Sequence, residues 1–299
     1  MKTALFVLLG LFATGYLLVL AGAARRARAA RAAGADGASP SVLELAVGFV
    51  TNFFDTLGIG SFAPTTAVFK LKNLVPDELI PGTLNVGHTL PAVVQAFIFI
   101  AIVKVDVWTL TLMIGAAVAG SWIGAGVVAG WPRRYIQVGM GGALLVAATF
   151  YVLTIFGIAP GGGEALSLSG VRLAVGLSVN FLLGALMQLG VGLYGPCLIL
   201  ISLLGMNPQA AFPIMMGSCA FLMPIGSVKF IRRGRFSLRA SLGLLVGGVP
   251  AVLIAAFIVK SMPLAYLRWL VVVVVLYASF SMLRSAHLEV RGKPPAPAA

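Results

Sequence analysis

The chain has 299 residues, of which 60% are hydrophobic and 10% are charged, and its mean hydropathy is +1.05. A soluble domain is about 45–50% apolar and about 25% charged, so this composition excludes a water-soluble globule. The net charge of +13 lies in short clusters between apolar runs. That pattern is typical of cytoplasmic loops in membrane proteins and argues against nucleic acid as a partner.

Seven apolar windows are long enough for a membrane-spanning helix, which needs about 20 residues. They are residues 4–24, 82–103, 107–130, 135–156, 209–231, 237–259 and 263–283. We interpret 1–24 as a retained transmembrane helix rather than a cleaved signal peptide, because cleavage would leave the following arginines outside the cell. Residues 25–41 form a basic linker after it.

Two further apolar stretches, 42–71 and 169–204, are interrupted by glycines and followed by proline. They carry an internal repeat, in which G-x-x-x-N-F starts at Gly48 and again at Gly176. G-[Ile/Val]-G-x-[Phe/Tyr]-[Ala/Gly]-P then starts at Gly58 and at Gly190. Three apolar helices follow each interrupted stretch, so we predict a first repeat at 42–156, a second at 169–284 and a tail at 285–299.

The positions of the basic residues predict how the two repeats lie in the membrane. If each interrupted stretch enters the bilayer and returns to the same side, almost every Lys and Arg cluster becomes cytoplasmic. Each repeat then has three full crossings, and the two repeats have opposite orientations. The predicted fold is therefore an all-α integral membrane protein of two inverted-topology repeats with one extra amino-terminal helix. The amino terminus is expected outside and the carboxyl terminus in the cytoplasm.

The two breaks predict a site for a small anion near the membrane midplane. Non-helical backbone in a bilayer is tolerated where it lines a cavity, and helix amino termini attract anions. Glycines also serve helix packing, which is the alternative reading for each of them. The predicted substrate-binding residues are Asn52, Gly58, Gly60, Ser61, Phe62, Thr65, Asn85, Asn180, Gly190, Gly192, Tyr194, Gly195 and Ser218.

Two ionisable residues lie within apolar segments and are candidates for proton coupling. His88 has an unperturbed pKa close to physiological pH, and Asp55 occurs in the first repeat where the second has Leu183 or a close neighbour. A structural, hydrogen-bonded histidine is the alternative interpretation of His88. The sequence predicts no metal site and no cofactor, and Cys197 and Cys219 are interpreted as small packing residues.

The glycine-rich breaks, the prolines that follow them and the two-half plan resemble the TauE/SafE family of sulfite and sulfonate exporters over residues 42–284. Ser61-Phe62-Ala63 and Asp55 depart from the glycine-dense pattern of that family. The resemblance implies a secondary transporter in a bacterial inner membrane that exports sulfite or an organosulfonate such as sulfoacetate. The expected partners are that anion and membrane lipid, with coupled protons and a homodimer as further hypotheses.

Three other functions compete with a carrier. A passive anion channel would use the same broken helices with a continuous pore. A non-transport role in assembling a membrane complex is a second alternative. An intramembrane enzyme is the third, but the sequence carries no HExxH, GxSxG or comparable signature, so we predict that the chain is not an enzyme.

Overall fold

The computed structural model describes residues 2–32, 39–124, 133–158, 163–187 and 193–291. Within these ranges the chain folds into α-helices with a few short helical turns. The helices are α1 (Lys2–Ala32), α2 (Val42–Thr56), α3 (Phe62–Leu71), α4 (Ile80–Ile102), α5 (Val107–Ala119), α6 (Arg133–Ile155), α7 (Gly170–Met187), α8 (Tyr194–Leu203), α9 (Ala211–Arg232), α10 (Leu238–Ser261) and α11 (Leu264–Arg291). The predicted all-helical membrane fold is confirmed at this level.

Among the described residues, six helical segments are long and apolar enough to cross a membrane. They are Lys2–Ala27, Ile80–Ile102, Gly170–Met187, Pro208–Arg232, Leu238–Ser261 and Arg268–His287. The apolar parts of α5, α6 and α8 are shorter. The first helix continues to Ala32, beyond the predicted end at residue 24, because the alanines and arginines that follow are strong helix formers. Of the predicted linker, residues 33–38 lie outside the described residues.

The order of elements from α2 to α6 recurs from α7 to α11. In each set a helix is followed by a break, a ten-residue helix, a three-residue 3₁₀ turn and a long helix with an internal proline. Pro64 and Pro196 stand third in α3 and α8, in the first helical turn, as the sequence predicts. Proline is tolerated there because the first-turn N–H groups have no helical acceptor.

The long helices α4 and α9 pack side by side in opposite directions. Gly82, early in α4, presses against the carbonyl of Arg235, just after the end of α9. At the other end, Phe99 of α4 stacks on Phe212 of α9 with ring centroids 5.3 Å apart. The last helices of the two sets, α6 and α11, are also antiparallel, since Ser279 donates to the Gly141 carbonyl and Phe156 contacts Trp269.

The helix that precedes each break packs in parallel against a helix from the other set of helices. In the α2–α10 pair, Gly48 lies against the backbone of Leu244. In the α7–α5 pair, Gly184 lies against the carbonyl of Ala117. A side chain at either glycine would collide with backbone, so these glycines serve close helix packing. The contacts of one set of helices are thus reproduced by the other.

The bundle has two ends, which we name by their features. The basic end comprises residues 72–79 and 233–237, where the Ser237 N–H donates to Thr83 Oγ1 over 2.9 Å. The bridge end comprises residues 103–106, 163–169 and 204–210, where an isolated β-bridge joins Ala165 and Met206. At the bridge end the Asp106 N–H donates to the Leu166 carbonyl over 2.8 Å.

The two helices that flank each break, α2 with α3 and α7 with α8, together start and finish at the same end of the bundle. Phe69 of α3 shares a buried cluster with Val47 of α2 and Ala240 of α10, so α3 returns to the basic end where α2 begins. Likewise the β-bridge holds Met206, after α8, beside Ala165, before α7, at the bridge end. The described flanks of the two breaks therefore enter the bundle from opposite ends.

Candidate anion-binding site

The first break and the described flanks of the second lie together inside the bundle. The first break, residues 57–61, separates α2 from α3. A Cβ atom at Gly58 would lie 3.5 Å from Leu198 of α8 and 3.7 Å from Met215 of α9. The second break lies between Met187 and Tyr194, and residues 188–192, with the predicted Gly190 and Gly192, are outside the described residues. The described flanks of that break are thus in contact with the first.

One hydrogen-bonded chain connects the two breaks through α4. The Gln95 Nε2 group donates to Asp55 Oδ2 and to Thr56 Oγ1, each over 2.9 Å. The Gln95 Oε1 atom accepts from the Tyr194 hydroxyl over 2.9 Å. Asp55, Gln95 and Tyr194 are buried. Because an ionised carboxylate can only accept, the Gln95 amide nitrogen faces Asp55 and its oxygen faces the Tyr194 hydroxyl, which donates to it.

The carboxylate of Asp55 also meets the start of α3. Ser61, the residue before the first turn of α3, lies close to Asp55. An anion at a helix amino terminus is favoured by the unpaired N–H groups and the helix dipole. The protein's own carboxylate therefore lies near the position in which we predicted a substrate anion.

A second chain runs from α2 through His88 to α3. The His88 Nδ1 atom lies 3.0 Å from Asn52 Oδ1, and Nε2 lies 3.1 Å from Thr65 Oγ1. The Asn52 Nδ2 group donates to the Gly48 carbonyl over 2.7 Å, which leaves its oxygen facing the histidine. The Thr65 hydroxyl is also 2.7 Å from the Ser61 carbonyl, to which it donates.

These distances relate the protonation of His88 to the orientation of one hydroxyl. Since Asn52 Oδ1 is an acceptor, His88 Nδ1 carries a proton. If the Thr65 hydroxyl donates to Ser61, then His88 Nε2 must also carry a proton to donate to Thr65. If that hydroxyl turns to donate to Nε2, His88 is neutral and the Ser61 carbonyl loses this donor.

The glycines of the first break adopt conformations that other residues avoid. Gly58 has φ +98° and Gly60 has φ +87°, and no atom lies within 4 Å of where a Cβ of Gly60 would be. Positive φ is the reason for glycine at both positions. Gly195, in contrast, has φ in the ordinary range, and a Cβ atom there would lie 2.9 Å from the Ala278 side chain, so close packing explains a glycine at this position.

The side-chain amides of Asn52 and Asn180, which are equivalent in the two repeats, each contact a backbone carbonyl of a helix from the other set. The Asn180 Nδ2 group donates to the Met113 carbonyl of α5 over 2.7 Å, and the Asn52 Nδ2 group lies 3.5 Å from the Leu244 carbonyl of α10. Asn180 Oδ1 is buried without a hydrogen-bond partner among the described residues. Asn52 Oδ1 is instead paired with His88, so the two asparagines differ in what their oxygens meet.

Other predicted site residues lie at the edge of this network. Phe62 packs against the His88 ring with centroids 5.8 Å apart. Asn85 faces Gly226 at the α4–α9 contact. Ser218 donates to the Ile214 carbonyl within its own helix over 2.7 Å.

Sequence reasoning missed Gln95, the residue that joins the two breaks. A signal was present, because Gln95 is a polar residue in an apolar span and lies seven positions after His88. That spacing places both side chains on one face of α4. Among the described residues no group of three or more His, Cys, Asp or Glu side chains is arranged to hold a metal ion.

The fold and this network define a multi-pass helical membrane protein with a polar site enclosed between two broken helices. The family model for Sulfite exporter TauE/SafE matches residues 172–299, the second repeat and the tail. The resemblance predicted from the sequence is thus confirmed over that part of the chain. No curated protein and no solved structure matched the chain.

The matched family model is described as a sulfite exporter. A family of transporters agrees with the prediction that the chain is not an enzyme, and the six long apolar helical segments agree with a membrane location.

Proposed function

We propose that the chain is a secondary transporter that exports sulfite or a small organosulfonate, such as sulfoacetate, by alternating access around the two breaks. The observation that carries this proposal is the chain of hydrogen bonds from Asp55 through Gln95 to Tyr194. This chain of bonds supports one polar site next to both helix breaks inside an apolar bundle. Polar groups buried at membrane depth are costly, so they are retained where they serve transport.

We infer that the two sets of helices are inverted-topology repeats. The antiparallel pairing of α4 with α9 and of α6 with α11 supports this, because equivalent helices then run in opposite directions. The breaks entering from opposite ends support re-entrant hairpins. Such an architecture permits one repeat to rock against the other while the site stays between them.

We infer further that the basic end faces the cytoplasm of a bacterial cell and the bridge end faces outward. Described basic residues toward the basic end include Arg25, Arg26, Lys70, Lys72, Lys229, Arg232, Arg233, Arg235 and Arg239. Described basic residues toward the bridge end include Lys2, Lys104, Arg172, Lys260 and Arg268. An excess of Lys and Arg on the cytoplasmic side sets membrane orientation. The amino terminus is then outside and the carboxyl terminus inside.

In this proposal the substrate anion replaces Asp55 at the start of α3. Ionised Asp55 repels an anion and competes with it for the nearby donor groups of Ser61. Protonation of Asp55 removes the repulsion and frees these donors. One proton would then accompany each anion, and the anion would be held by Ser61, Thr65 and Tyr194 together with the backbone of Gly58 and Gly60.

His88 supplies a second proton-dependent contact with the same break. Its protonation selects whether the Thr65 hydroxyl donates to the Ser61 carbonyl or to the imidazole. A charged His88 beside the first break also attracts an anion. Asn52 holds the ring in place, and Asn180 offers an oxygen in the second repeat that has no hydrogen-bond partner among the residues the structure describes.

The test is transport by the purified full chain in proteoliposomes. We expect radiolabelled sulfoacetate or sulfite to accumulate, and to exchange when unlabelled anion is placed on the opposite side. Thr65→Val should reduce transport at least tenfold, because Thr65 contacts both His88 and the break. Thr149→Val is the matched control, since its hydroxyl is exposed and bonds within its own helix.

Failure of sulfite and of several small sulfonates to move or to bind would overturn the substrate assignment. Rapid flux of the anion without counterflow exchange would indicate a channel instead of a carrier. Equal effects of Thr65→Val and Thr149→Val on transport would show that the first break is not part of the transport pathway.

A further inference from the structure

The first helix, α1, belongs to neither repeated set of helices, but two hydrogen bonds about four helical turns apart join it to α4. The Tyr16 hydroxyl, which is 1% exposed, donates to the Val86 carbonyl over 2.6 Å. Nearer the start of α1, the Lys2 Nζ group donates to the Ile100 carbonyl over 3.3 Å. The two helices are therefore antiparallel, and each bond holds a side chain of α1 to one particular carbonyl of α4.

The contacts of α1 with α9 are apolar. Phe12 meets Phe221 edge to face with ring centroids 5.6 Å apart, and Leu20 shares a buried cluster with Ile231. The two helices are therefore parallel. The hydrogen bonds described for α1 side chains go to α4 or stay within α1 itself.

These two kinds of contact resist movement differently. Displacing α1 along α4 would leave the Tyr16 hydroxyl without its acceptor inside an apolar bundle, which is costly. Displacing α1 along α9 exchanges one apolar contact for another, and lipid tails are as apolar as the side chains they replace. Directed bonds therefore fix α1 to α4, whereas α1 and α9 can slide past each other.

Both contacts lie beside an internal proline of a central helix. Tyr16 bonds to α4 just before Pro91, and Phe12, one turn earlier on the same face of α1, meets α9 just before Pro224. A proline inside a helix lacks the N–H of the regular ladder, so helices bend most easily there. The first helix thus touches the central helix of each repeat where that helix is weakest.

We propose that α1 moves together with α4 and slides along α9 when the two repeats rock against each other. The inference rests on the proposed function, in which such rocking transports the anion. It adds the position of a sliding surface between the repeats. The bond from Tyr16 to Val86 persists through the cycle, whereas Phe12 shifts relative to Phe221.

Two pairs of cysteines at the ring contacts of α1 test the proposal in the full chain. Phe6→Cys with Phe97→Cys links α1 to α4, where the native rings stack with centroids 5.7 Å apart, and Phe12→Cys with Phe221→Cys links α1 to α9. Copper phenanthroline closes each disulfide and dithiothreitol opens it. Closing the α1–α9 link should slow sulfoacetate exchange in proteoliposomes at least tenfold and reversibly, whereas closing the α1–α4 link should change it less than twofold.

The rates of disulfide formation in detergent give a measurement that needs no transport. Phe12→Cys should react with Phe221→Cys and, one turn further along α9, with Ile225→Cys at rates within about threefold of each other. Phe6→Cys should react with Phe97→Cys but at least tenfold more slowly with Ala101→Cys, one turn further along α4. Ile225 and Ala101 are both exposed, so access to the oxidant is matched.

Removing the hydroxyl of Tyr16 should loosen the fixed contact. Tyr16→Phe should speed the reaction of Phe6→Cys with Ala101→Cys about fivefold, because one directed bond to α4 is lost. Thr14→Val is the matched control, since the Thr14 hydroxyl is exposed and bonds to the Gly10 carbonyl within α1.

The outcomes separate this inference from the proposed function. Disulfides in a single register on α9, or in two registers on α4, would overturn the sliding surface. An α1–α9 link that leaves exchange unchanged, or an α1–α4 link that stops it, would overturn it too and leave the transporter intact. Two registers on α9 and one on α4, in a protein that transports none of these anions, would support the sliding surface and refute the transport proposal.

Discussion

Replacing Asp55 by Asn isolates the charge at the first break with little change in shape. Asp55 accepts a hydrogen bond from Gln95 and lies close to the donor groups of Ser61. Asparagine keeps one acceptor oxygen, but its amide group will face one of those donors. We expect a loss of about 1–3 kcal/mol in the free energy of unfolding, which is compatible with a folded protein.

The effect on anion binding should be larger and of opposite sign. A substrate at the Ser61 donors would lie about 5 Å from the Asp55 carboxylate, and two like charges at that distance repel by about 3 kcal/mol at an effective dielectric constant of about 20. Removing the charge should therefore lower Kd by about a hundredfold at a pH where Asp55 is ionised. At low pH, where Asp55 is protonated, wild type and variant should bind alike.

Binding of methanesulfonate across pH provides the assay, because this anion keeps one charge throughout. Wild-type affinity should fall steeply as pH rises, whereas the affinity of Asp55→Asn should keep only the weaker pH dependence that comes from His88. Transport provides a second measurement. The wild type moves a proton with the anion, so its transport should not depend on membrane voltage. For the variant, the driving force for transport should change by about 2.3 kcal/mol per 100 mV. The exposed residue Glu78 supplies the control variant, Glu78→Gln, which should behave as wild type. The same falling affinity in Asp55→Asn as in wild type would refute the reasoning.

Three further predictions address the neighbouring contacts. His88→Gln should retain a donor for its asparagine partner but lose the remaining pH dependence of transport, and an unchanged pH profile would exclude it from the proton pathway. Tyr194→Phe should leave Gln95 Oε1 unpaired and lower the free energy of unfolding by about 1–3 kcal/mol in a denaturation assay; an unaltered midpoint would contradict that bond. Gly184→Val should force α7 away from the Ala117 carbonyl and cost at least about 1–3 kcal/mol, which thermal unfolding in detergent measures against the open position Gly142→Val.

The sequence predicted the elements of the fold because they follow from local patterns. Apolar length marked the long helices, and glycine followed by proline marked the breaks at 57–61 and before Tyr194. The end of α1 was predicted too early, because a hydropathy window detects apolar residues, whereas the helix continues through further residues that favour helix formation.

The contacts within the site were much less predictable. Asn52, His88 and Thr65 were each identified as candidates, but their linear order gives no indication that the histidine bridges the other two. Gln95 was missed because its role depends on the rotation of α4 relative to α2 and α8. Packing of three helices from two repeats fixes that rotation, and no single segment of sequence encodes it.

The chemistry of the two breaks is unequal although their backbones follow the same plan. Asp55 and His88 belong to the first repeat, while Leu183 follows the second asparagine at the spacing of Asp55 and no histidine lies on α9. A break whose donors hold a carboxylate binds an anion only after protonation, whereas a break without one has no such requirement. The proposed proton coupling therefore belongs to the first repeat alone, and the second repeat contributes the neutral hydroxyl of Tyr194. If both repeats carried an acidic residue, two protons would have to accompany each anion. One carboxylate matches one proton to one singly charged sulfonate, which makes the complete step electrically neutral.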